Sequence, residues 1–233
     1  MKNYTALKEK AWECNLELHN KGVVIYTFGN VSAFDSSKEV FAIKPSGIPY
    51  EALRPEDMVV VDLDNRIVEG TLRPSSDTKT HSILYRHFPG IGGVAHTHST
   101  YATAWAQALK PIPVLGTTHA DLLCTDIPCT PLMSDDNISG DYEEETGLLI
   151  VETFSNYSYK ETEMVLVGGH GPFTWGKSPE KAVYNSVMLE ELAKTAVHTC
   201  SINPDIHPLK STLIDKHYKR KHGKNAYYGQ NDL

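Results

Sequence analysis

The sequence has few of the features that mark membrane proteins or secreted proteins. Its longest apolar runs, such as Met58–Val61, have the length of a β-strand, far short of the roughly 20 residues that span a bilayer. The four cysteines show no paired CxxC spacing, which favours reduced thiols in the cytoplasm over a disulfide framework. Residues 1–10 contain no uncharged apolar stretch, so we expect no signal peptide.

Excess positive charge, internal repeats and flexible linkers are also missing. The formal net charge is -7, which argues against nucleic acid as the main partner. The basic run Lys216–Lys224 is therefore interpreted as a solvated or subunit-facing helix. No Pro/Gly/Ser-rich linker divides the chain, so we expect a single domain over residues 1–233.

Hydrophobic periodicity predicts an α/β fold. Helices are predicted at about residues 4–18, 75–87, 99–109, 178–199 and 208–222. Strands are predicted at Val23–Phe28, Val31–Phe34, Val40–Ile43, Met58–Leu63, Arg66–Glu69, Gly93–His98 and Met164–Val167. This distribution indicates a three-layer α/β domain with a central, largely antiparallel sheet flanked by helices. At the start of the second helix, Ser75, Ser76 and Asp77 are expected to cap free amide groups.

A histidine pattern is the strongest chemical signal. Alternate residues of a strand point to one face, so His96 and His98 can reach the same ion. His170 lies at a strand end among glycines, where the backbone can turn tightly. Three neutral histidines would make a catalytic type of zinc site. Asp77 is either a further ligand or neighbour of the metal, or an ordinary first-turn acid favoured by the helix dipole. The alternative for the histidines is an ordinary hydrogen-bonded role.

Three segments are suited to binding a phosphate group. Ser75 and Ser76 at a helix N-terminus offer hydroxyls and free amides. The segment Lys44–Gly47 adds a cation, the Ser46 hydroxyl and a glycine, and Gly29-Asn30 is a third candidate. Each segment is otherwise a simple turn.

A nicotinamide cofactor is not expected. Gly90–Ala95 formally matches the GxGxxA dinucleotide pattern, but it follows a predicted helix and precedes a strand, which is the wrong context. Local spacing gives no role to Asp121 or Tyr228, and His119 and His217 are more simply structural.

Several motifs along the chain resemble those of a known family. They run in order from Thr27–Ala33, through Ile43–Gly47, Pro74–Thr78, His96–Ser99, Gly116–Asp121 and His170–Phe173, to Lys216–Tyr218 and Ala226–Gln230. Together they are similar to the sugar-phosphate epimerases of the class II (zinc) aldolase superfamily, over nearly the whole chain. The resemblance implies the class II aldolase fold. It also implies interconversion of L-ribulose 5-phosphate and D-xylulose 5-phosphate by cleavage and rejoining of the C3–C4 bond.

The resemblance also implies roles for individual residues. It places zinc, with Mn²⁺ or Co²⁺ as substitutes, at His96, His98 and His170, with Asp77 at the metal-associated position. Asp121 and Tyr228 would be the acid/base pair. Contacts to the substrate and its phosphate would come from Gly29, Asn30, Lys44, Ser46, Gly47, Ser75 and Ser76. The assembly would be a cytoplasmic homotetramer with sites between subunits and with residues 208–233 at an interface, acting on a sugar phosphate without nucleic acid or membrane partners.

Two other functions remain open. A ketose-phosphate aldolase would release its cleavage products, although related aldolases carry Glu where this chain has Asp77. A non-catalytic module like the adducin head would lack the three histidines. Arabinose and ascorbate catabolism use closely similar epimerases, so the sequence leaves the pathway open.

Overall fold

The structure is a computed structural model that describes residues 3–222 and 226–227. The helices are α1 (Thr5–Asn20), α2 (Thr78–His87), α3 (Thr100–Gln107), α4 (Thr117–Ala120), α5 (Asp135–Ser139), α6 (Tyr142–Thr153), α7 (Pro179–Ile202) and α8 (Ser211–His222), with single 3₁₀ turns at Tyr50–Ala52, Pro55–Asp57 and Phe154–Asn156. The strands are β1 (Gly29–Asp35), β2 (Val40–Ile43), β3 (Val59–Asp62), β4 (Ile67–Glu69), β5 (Gly93–Thr97), β6 (Met164–Val167) and β7 (Gly171–Gly176).

The strands form one sheet of seven in the order β4-β3-β2-β1-β5-β7-β6. Every pair of neighbours is antiparallel, which confirms the predicted, largely antiparallel sheet. Short turns connect the antiparallel pairs β1–β2 and β3–β4. Asp35 accepts hydrogen bonds from the Ser37 and Lys38 backbone amides in the β1–β2 turn, and Asn65 has the positive φ (64°) that the tight β3–β4 turn requires.

Helices cover both faces of the sheet, because the strand residues alternate between two cores. On β3, Val59 and Val61 pack into a cluster with side chains of α2 and α6. The intervening Val60 packs with α1 on the other face. A similar alternation occurs on β6, where Leu166 packs with side chains of α3 and α7. The predicted three-layer arrangement is therefore confirmed.

The predicted strand at Val23–Phe28 is wrong. The segment forms turns, with only an isolated bridge between Ile25 and Phe28, and β1 begins afterwards at Gly29. Tyr26 takes a positive φ (52°) and its side chain is 84% exposed. Apolar and β-branched residues gave the segment a strand-like composition, but it has no neighbouring strand with which to pair.

Four elements were not predicted, namely the short helices α4 and α5, the longer helix α6 and the strand β7. α6 begins with a run of acidic residues, and Glu143, Glu144 and Glu145 in its first turn supply the negative charge that is favourable at a helix N-terminus. β7 contains Pro172 and begins at Gly171, both poor strand formers. It is nevertheless fully buried between β5 and β6, where tertiary pairing overrides local preference.

Within the described residues, no helix is both long and apolar enough to cross a membrane. The four cysteines are free thiols, as expected from their spacing.

We predict that Gly93→Ala strongly destabilises the fold. A Cβ atom built on Gly93 would lie 2.5 Å from Pro179 N and 2.8 Å from Ser178 C, where α7 begins against β5. Both are backbone atoms, so relief requires moving the helix. We expect a loss of about 1–3 kcal/mol or more in the free energy of unfolding, measured by urea denaturation. Gly116→Ala is the control, because nothing lies within 4 Å of its Cβ position. Equal losses for the two variants would contradict the packing argument.

Candidate active site

A cavity of about 350 Å³ opens beside the central strands. It brings together most of the residues that the resemblance implicated, although they are distant in sequence. Its lining includes Gly29, Asn30, Lys44, Ser46, Gly47, Ser75, Ser76, Asp77, His96, His98 and His170. Asp121 is not part of this lining, and Tyr228 lies outside the described residues.

Three histidines converge at one side of this cavity. Their ligand atoms lie within 4.8 Å of one another, and the Nε2 atoms of His96 and His98 are 3.0 Å apart. His96 lies on β5, His98 directly follows that strand, and His170 occupies the turn between β6 and β7. Because β5 and β7 are paired, these strand ends meet in space. The group has the composition and spacing to hold a divalent cation.

The protonation of the imidazoles suits metal binding. His96 Nδ1 lies 2.9 Å from the Pro172 carbonyl, which can only accept a hydrogen bond, so Nδ1 is the donor and Nε2 is the ring atom left to bind a metal. Burial, with His96 as its neighbour, lowers the pKa of His98, and burial lowers the pKa of His170 to about 3. Both rings are therefore neutral at physiological pH, the form in which histidine binds a metal.

Asp77 lies beside the histidine group but is not part of it. Its Oδ2 accepts a 2.6 Å hydrogen bond from Asn30 Nδ2, and it makes no side-chain cap to α2. The expected capping role is therefore wrong for this residue. Burial alone would raise the pKa of Asp77, but neighbouring His96 and His81 hold that pKa below its usual value. Direct ligation of a metal by Asp77 stays a prediction.

Backbone hydrogen bonds join two loops that form a further part of the cavity wall. Ser75 N donates to Lys44 O (3.0 Å), and Ser46 N donates to Arg73 O (2.9 Å). The Asn30 amide connects this wall to β1 by donating to Ser75 Oγ (3.0 Å), whereas its Oδ1 is buried without a partner among the described residues. A buried polar atom without a partner is costly, and a ligand in the cavity can supply the missing bond.

Lys44 adds positive charge to this wall. The residue is only 2% exposed, and within the described part of the chain its ammonium reaches one hydrogen-bond acceptor, the Pro45 carbonyl at 3.4 Å. Burial lowers the pKa of Lys44 to about 8, and no carboxylate of the described residues offsets that effect. A buried ammonium without a counter-ion favours an anionic ligand.

Asp121 lies in a different environment, at the C-terminal end of α4. Arg220 binds both carboxylate oxygens through Nε (2.9 Å) and Nη2 (2.6 Å), and His217 Nδ1 lies 3.0 Å from Oδ1. Partial burial would raise the pKa of Asp121, but these bonds lower it. Asp121 is thus an ionised carboxylate held by α8. The basic run is confirmed as helix as far as His222; Lys224 lies outside the described residues.

Sequence reasoning missed several lining residues, notably Tyr142 and Glu143 at the start of α6. Tyr142 Oη lies 3.4 Å from His170 Nδ1. The Glu143 carbonyl accepts a 2.6 Å bond from Thr80 Oγ1, which joins α6 to α2. The acid-rich first turn could have revealed the helix, but only tertiary packing brings that turn to the cavity. Thr27, Phe28 and Pro45 also line it.

The sequence profile of the Class II Aldolase and Adducin N-terminal domain matches residues 9–197. The chain therefore belongs to the class II aldolase and adducin family.

Curated relatives confirm the resemblance to the epimerases of this superfamily. The L-ribulose-5-phosphate 4-epimerase UlaF of Salmonella paratyphi C is 51% identical over 224 residues, covering 96% of this chain and 98% of the relative. The protein of the same name from Salmonella typhi is 50% identical over the same share of both chains.

Solved structures support the same fold. A structure of L-fuculose 1-phosphate aldolase superimposes with a TM-score of 0.80 at 24% identity, covering 92% of this chain and 95% of the other. YgbL from Klebsiella pneumoniae gives a TM-score of 0.73 at 23% identity, covering 93% and 99%. At this identity the similarity establishes the class II aldolase fold alone, in agreement with the fold expected from the sequence.

We predict that the chain binds one divalent cation at the three histidines and keeps its fold when the ion is removed. The three residues are held by paired strands whose hydrogen bonds do not involve a metal. Metal content measured by mass spectrometry should fall in His170→Asn but not in His87→Asn, an exposed histidine on α2. Circular dichroism should be unchanged by a chelator. Undiminished metal affinity in His170→Asn, or unfolding on chelation, would contradict the prediction.

Proposed function

We propose that the protein interconverts L-ribulose 5-phosphate and D-xylulose 5-phosphate. The observation that carries the proposal is a single cavity lined both by a three-histidine group and by a buried ammonium with no carboxylate partner among the described residues. The chain is about 50% identical to L-ribulose-5-phosphate 4-epimerases over 96% of its length, which supports the choice of substrate.

The position of the inverted carbon restricts the chemistry. In a 2-ketopentose phosphate, C4 is β to the carbonyl at C2, so that group does not acidify the C4 proton. Inversion by simple deprotonation is therefore unfavourable. Breaking the C3–C4 bond instead yields glycolaldehyde phosphate and the enediolate of dihydroxyacetone. Rotation of the aldehyde and re-formation of the bond on its other face then invert C4 without a net loss of atoms.

The described residues meet the requirements of this route. Lys44, Ser46 and Ser75 line the cavity, and as proposed ligands of the phosphate they would keep the aldehyde in the cavity while it rotates. The Pro172 carbonyl fixes the orientation of His96 through Nδ1. Asn30 supplies a buried oxygen that can accept a hydrogen bond from a substrate hydroxyl.

We further propose zinc as the ion at His96, His98 and His170, with Mn²⁺ or Co²⁺ as possible substitutes. Three neutral imidazoles are a common donor set for catalytic zinc. When bound, such an ion supplies positive charge that stabilises the negative charge developing on the substrate oxygens. Asp77 is proposed as a residue associated with the metal, because its carboxylate remains ionised next to the histidines.

The acid/base groups are proposed to be Asp121 and Tyr228 of a neighbouring subunit. Asp121 does not line the cavity of its own chain, and α8 holds its carboxylate. A homotetramer with sites between subunits would bring these groups to the cavity of the next chain, with residues 208–233 at the interface. Four free thiols are in keeping with a cytoplasmic location.

An aldolase is the second candidate, because the fold is shared with L-fuculose 1-phosphate aldolase. Such an enzyme would release both cleavage products. Incubation with L-ribulose 5-phosphate and separation of the products tests both functions. The epimerase is supported if D-xylulose 5-phosphate accumulates without free glycolaldehyde phosphate. Stoichiometric release of glycolaldehyde phosphate would favour the aldolase.

We predict that His98→Asn slows epimerisation and releases cleavage products. Loss of one imidazole weakens the metal site, so the charged fragment is held less firmly and separates before the bond re-forms. Glycolaldehyde phosphate and dihydroxyacetone should be detected by enzymatic assay.

His87→Asn, which changes an exposed histidine, should release neither product. Exchange of the C4 hydrogen with solvent deuterium, without release of fragments in any ligand variant, would exclude bond cleavage.

We predict that two inactive variants restore activity when their subunits are mixed. His96→Asn lacks an intact metal group, and Tyr228→Phe lacks an acid/base group. If each site uses two chains, about one quarter of the interfaces in an equal mixture combine an intact metal group with an intact tyrosine. Activity should rise towards that fraction of wild type after subunit exchange.

Mixing Asp121→Asn with Tyr228→Phe is the matched control. Both variants alter groups contributed by the same chain, so no interface is rebuilt and activity should stay low. If the mixture of His96→Asn and Tyr228→Phe remains at the sum of its parents, each chain carries its own complete site.

A further inference from the structure

Tyr50 is a buried aromatic residue that contacts two parts of the cavity wall without lining the cavity itself. It begins the 3₁₀ turn Tyr50–Ala52 and is 1% exposed. Its two polar interactions lead to residues of the cavity wall. The ring faces the Lys44 ammonium, and the hydroxyl reaches the backbone of Gly29.

The ring of Tyr50 makes an electrostatic contact with Lys44. The ammonium nitrogen lies 4.8 Å above the ring centroid, within the range of a cation–π interaction. An aromatic face attracts a cation without neutralising it, because the ring has no net charge. Lys44 can therefore be held in place and still present its full charge to a ligand, which a carboxylate partner would not allow.

The hydroxyl of Tyr50 determines the position of a second part of the site. It donates a 2.7 Å hydrogen bond to the Gly29 carbonyl. Burial raises the pKa of Tyr50, so the hydroxyl stays protonated and can only act as a neutral donor or acceptor here. Gly29 pairs with Thr97, the residue between His96 and His98, and precedes Asn30.

The ring is itself held by α1. His19, in the last turn of that helix, stacks on Tyr50 with ring centroids 5.0 Å apart and planes 9° apart. Glu51 pairs with His19 on the outer side at 3.4 Å. Tyr50 therefore has little freedom to move, and the groups that it contacts share that rigidity.

We propose that Tyr50 is a positioning residue that sets the distance between Lys44 and the Gly29-Asn30 segment, and so determines how tightly the cavity binds the phosphate of its substrate. The inference rests on the proposed function, because it assumes that a phosphate ester binds at Lys44. Tyr50 itself does not contact the substrate.

The test replaces Tyr50 with Phe, and with a ring-fluorinated phenylalanine of nearly the same shape. Tyr50→Phe keeps the aromatic face but loses the bond to Gly29. Fluorination withdraws electron density from the ring face and removes the attraction for Lys44. Lys44→Met serves as the reference for complete loss of the charge. Each metal-loaded protein is titrated calorimetrically with glycerol 3-phosphate, an unreactive phosphate ester, at a series of pH values.

Affinity in the wild type should fall as the pH rises through about 8, because the protonated, cationic form of Lys44 exists below its pKa. The groups around Lys44 include Tyr50, with His19 stacked on its ring. The Tyr50 hydroxyl remains neutral in this range, and the fluorinated and unfluorinated variants contain the same His19. A difference between them in the pH of half-maximal affinity therefore reports on Lys44.

We expect Tyr50→Phe to bind up to about threefold more weakly with an unchanged pH midpoint. The fluorinated variant should bind a further three- to tenfold more weakly, with a midpoint at lower pH, since a cation–π contact favours the charged lysine. A purely structural role would change the melting temperature of the two variants without separating their pH midpoints.

If both phenylalanine variants kept the affinity and pH midpoint of the wild type, the role of Tyr50 would be overturned, while the phosphate site would remain intact. Wild-type affinity in Lys44→Met would have a different meaning. It would show that Lys44 does not bind the phosphate, and would overturn both the proposed anion site and the inference that rests on it.

Discussion

The register of β5 between β1 and β7 is the constraint on which the rest of the site depends. It aligns Asn30, His96 and Phe173 in one row across three strands. The ring of His96 stacks on Phe173 with centroids 4.1 Å apart, while the Asn30 amide reaches Asp77. A shift of one residue in either pairing would turn His96 to the opposite face of the sheet and separate it from the α2 and α6 side.

The helices complete the site from the same face. Ser75, Ser76 and Asp77 immediately precede α2, and Tyr142 and Glu143 begin α6, so two helix N-termini reach the cavity. α2 and α6 also pack closely, since a Cβ on Gly147 would lie 2.7 Å from Ile83 Cβ. Packing far from the cavity therefore determines where its polar groups lie.

The electrostatics of the cavity divide it into two parts with different chemistry. Neutral imidazoles on one side offer lone pairs to a metal ion, and burial maintains them in that form. In the other part, the buried Lys44, which has no carboxylate partner among the described residues, favours an anion. Membership of the class II aldolase and adducin family, and the identity of about 50% to L-ribulose-5-phosphate 4-epimerases, are consistent with this division.

The sequence by itself predicted the three-histidine group and most of the residues that line the cavity, because motifs such as His96-Thr97-His98 and Lys44–Gly47 carry their chemistry in adjacent residues. Periodicity was also sufficient for α1 and α7, where the buried residues recur with the period of a helix. The remaining strands and contacts depended on the tertiary structure. Pairing made a strand of β7 and left Val23–Phe28 as turns, because a strand exists only where a neighbour accepts its hydrogen bonds. Packing likewise brought Tyr142 to the cavity and engaged Asp121 with Arg220, since contacts between residues distant in sequence leave no local pattern.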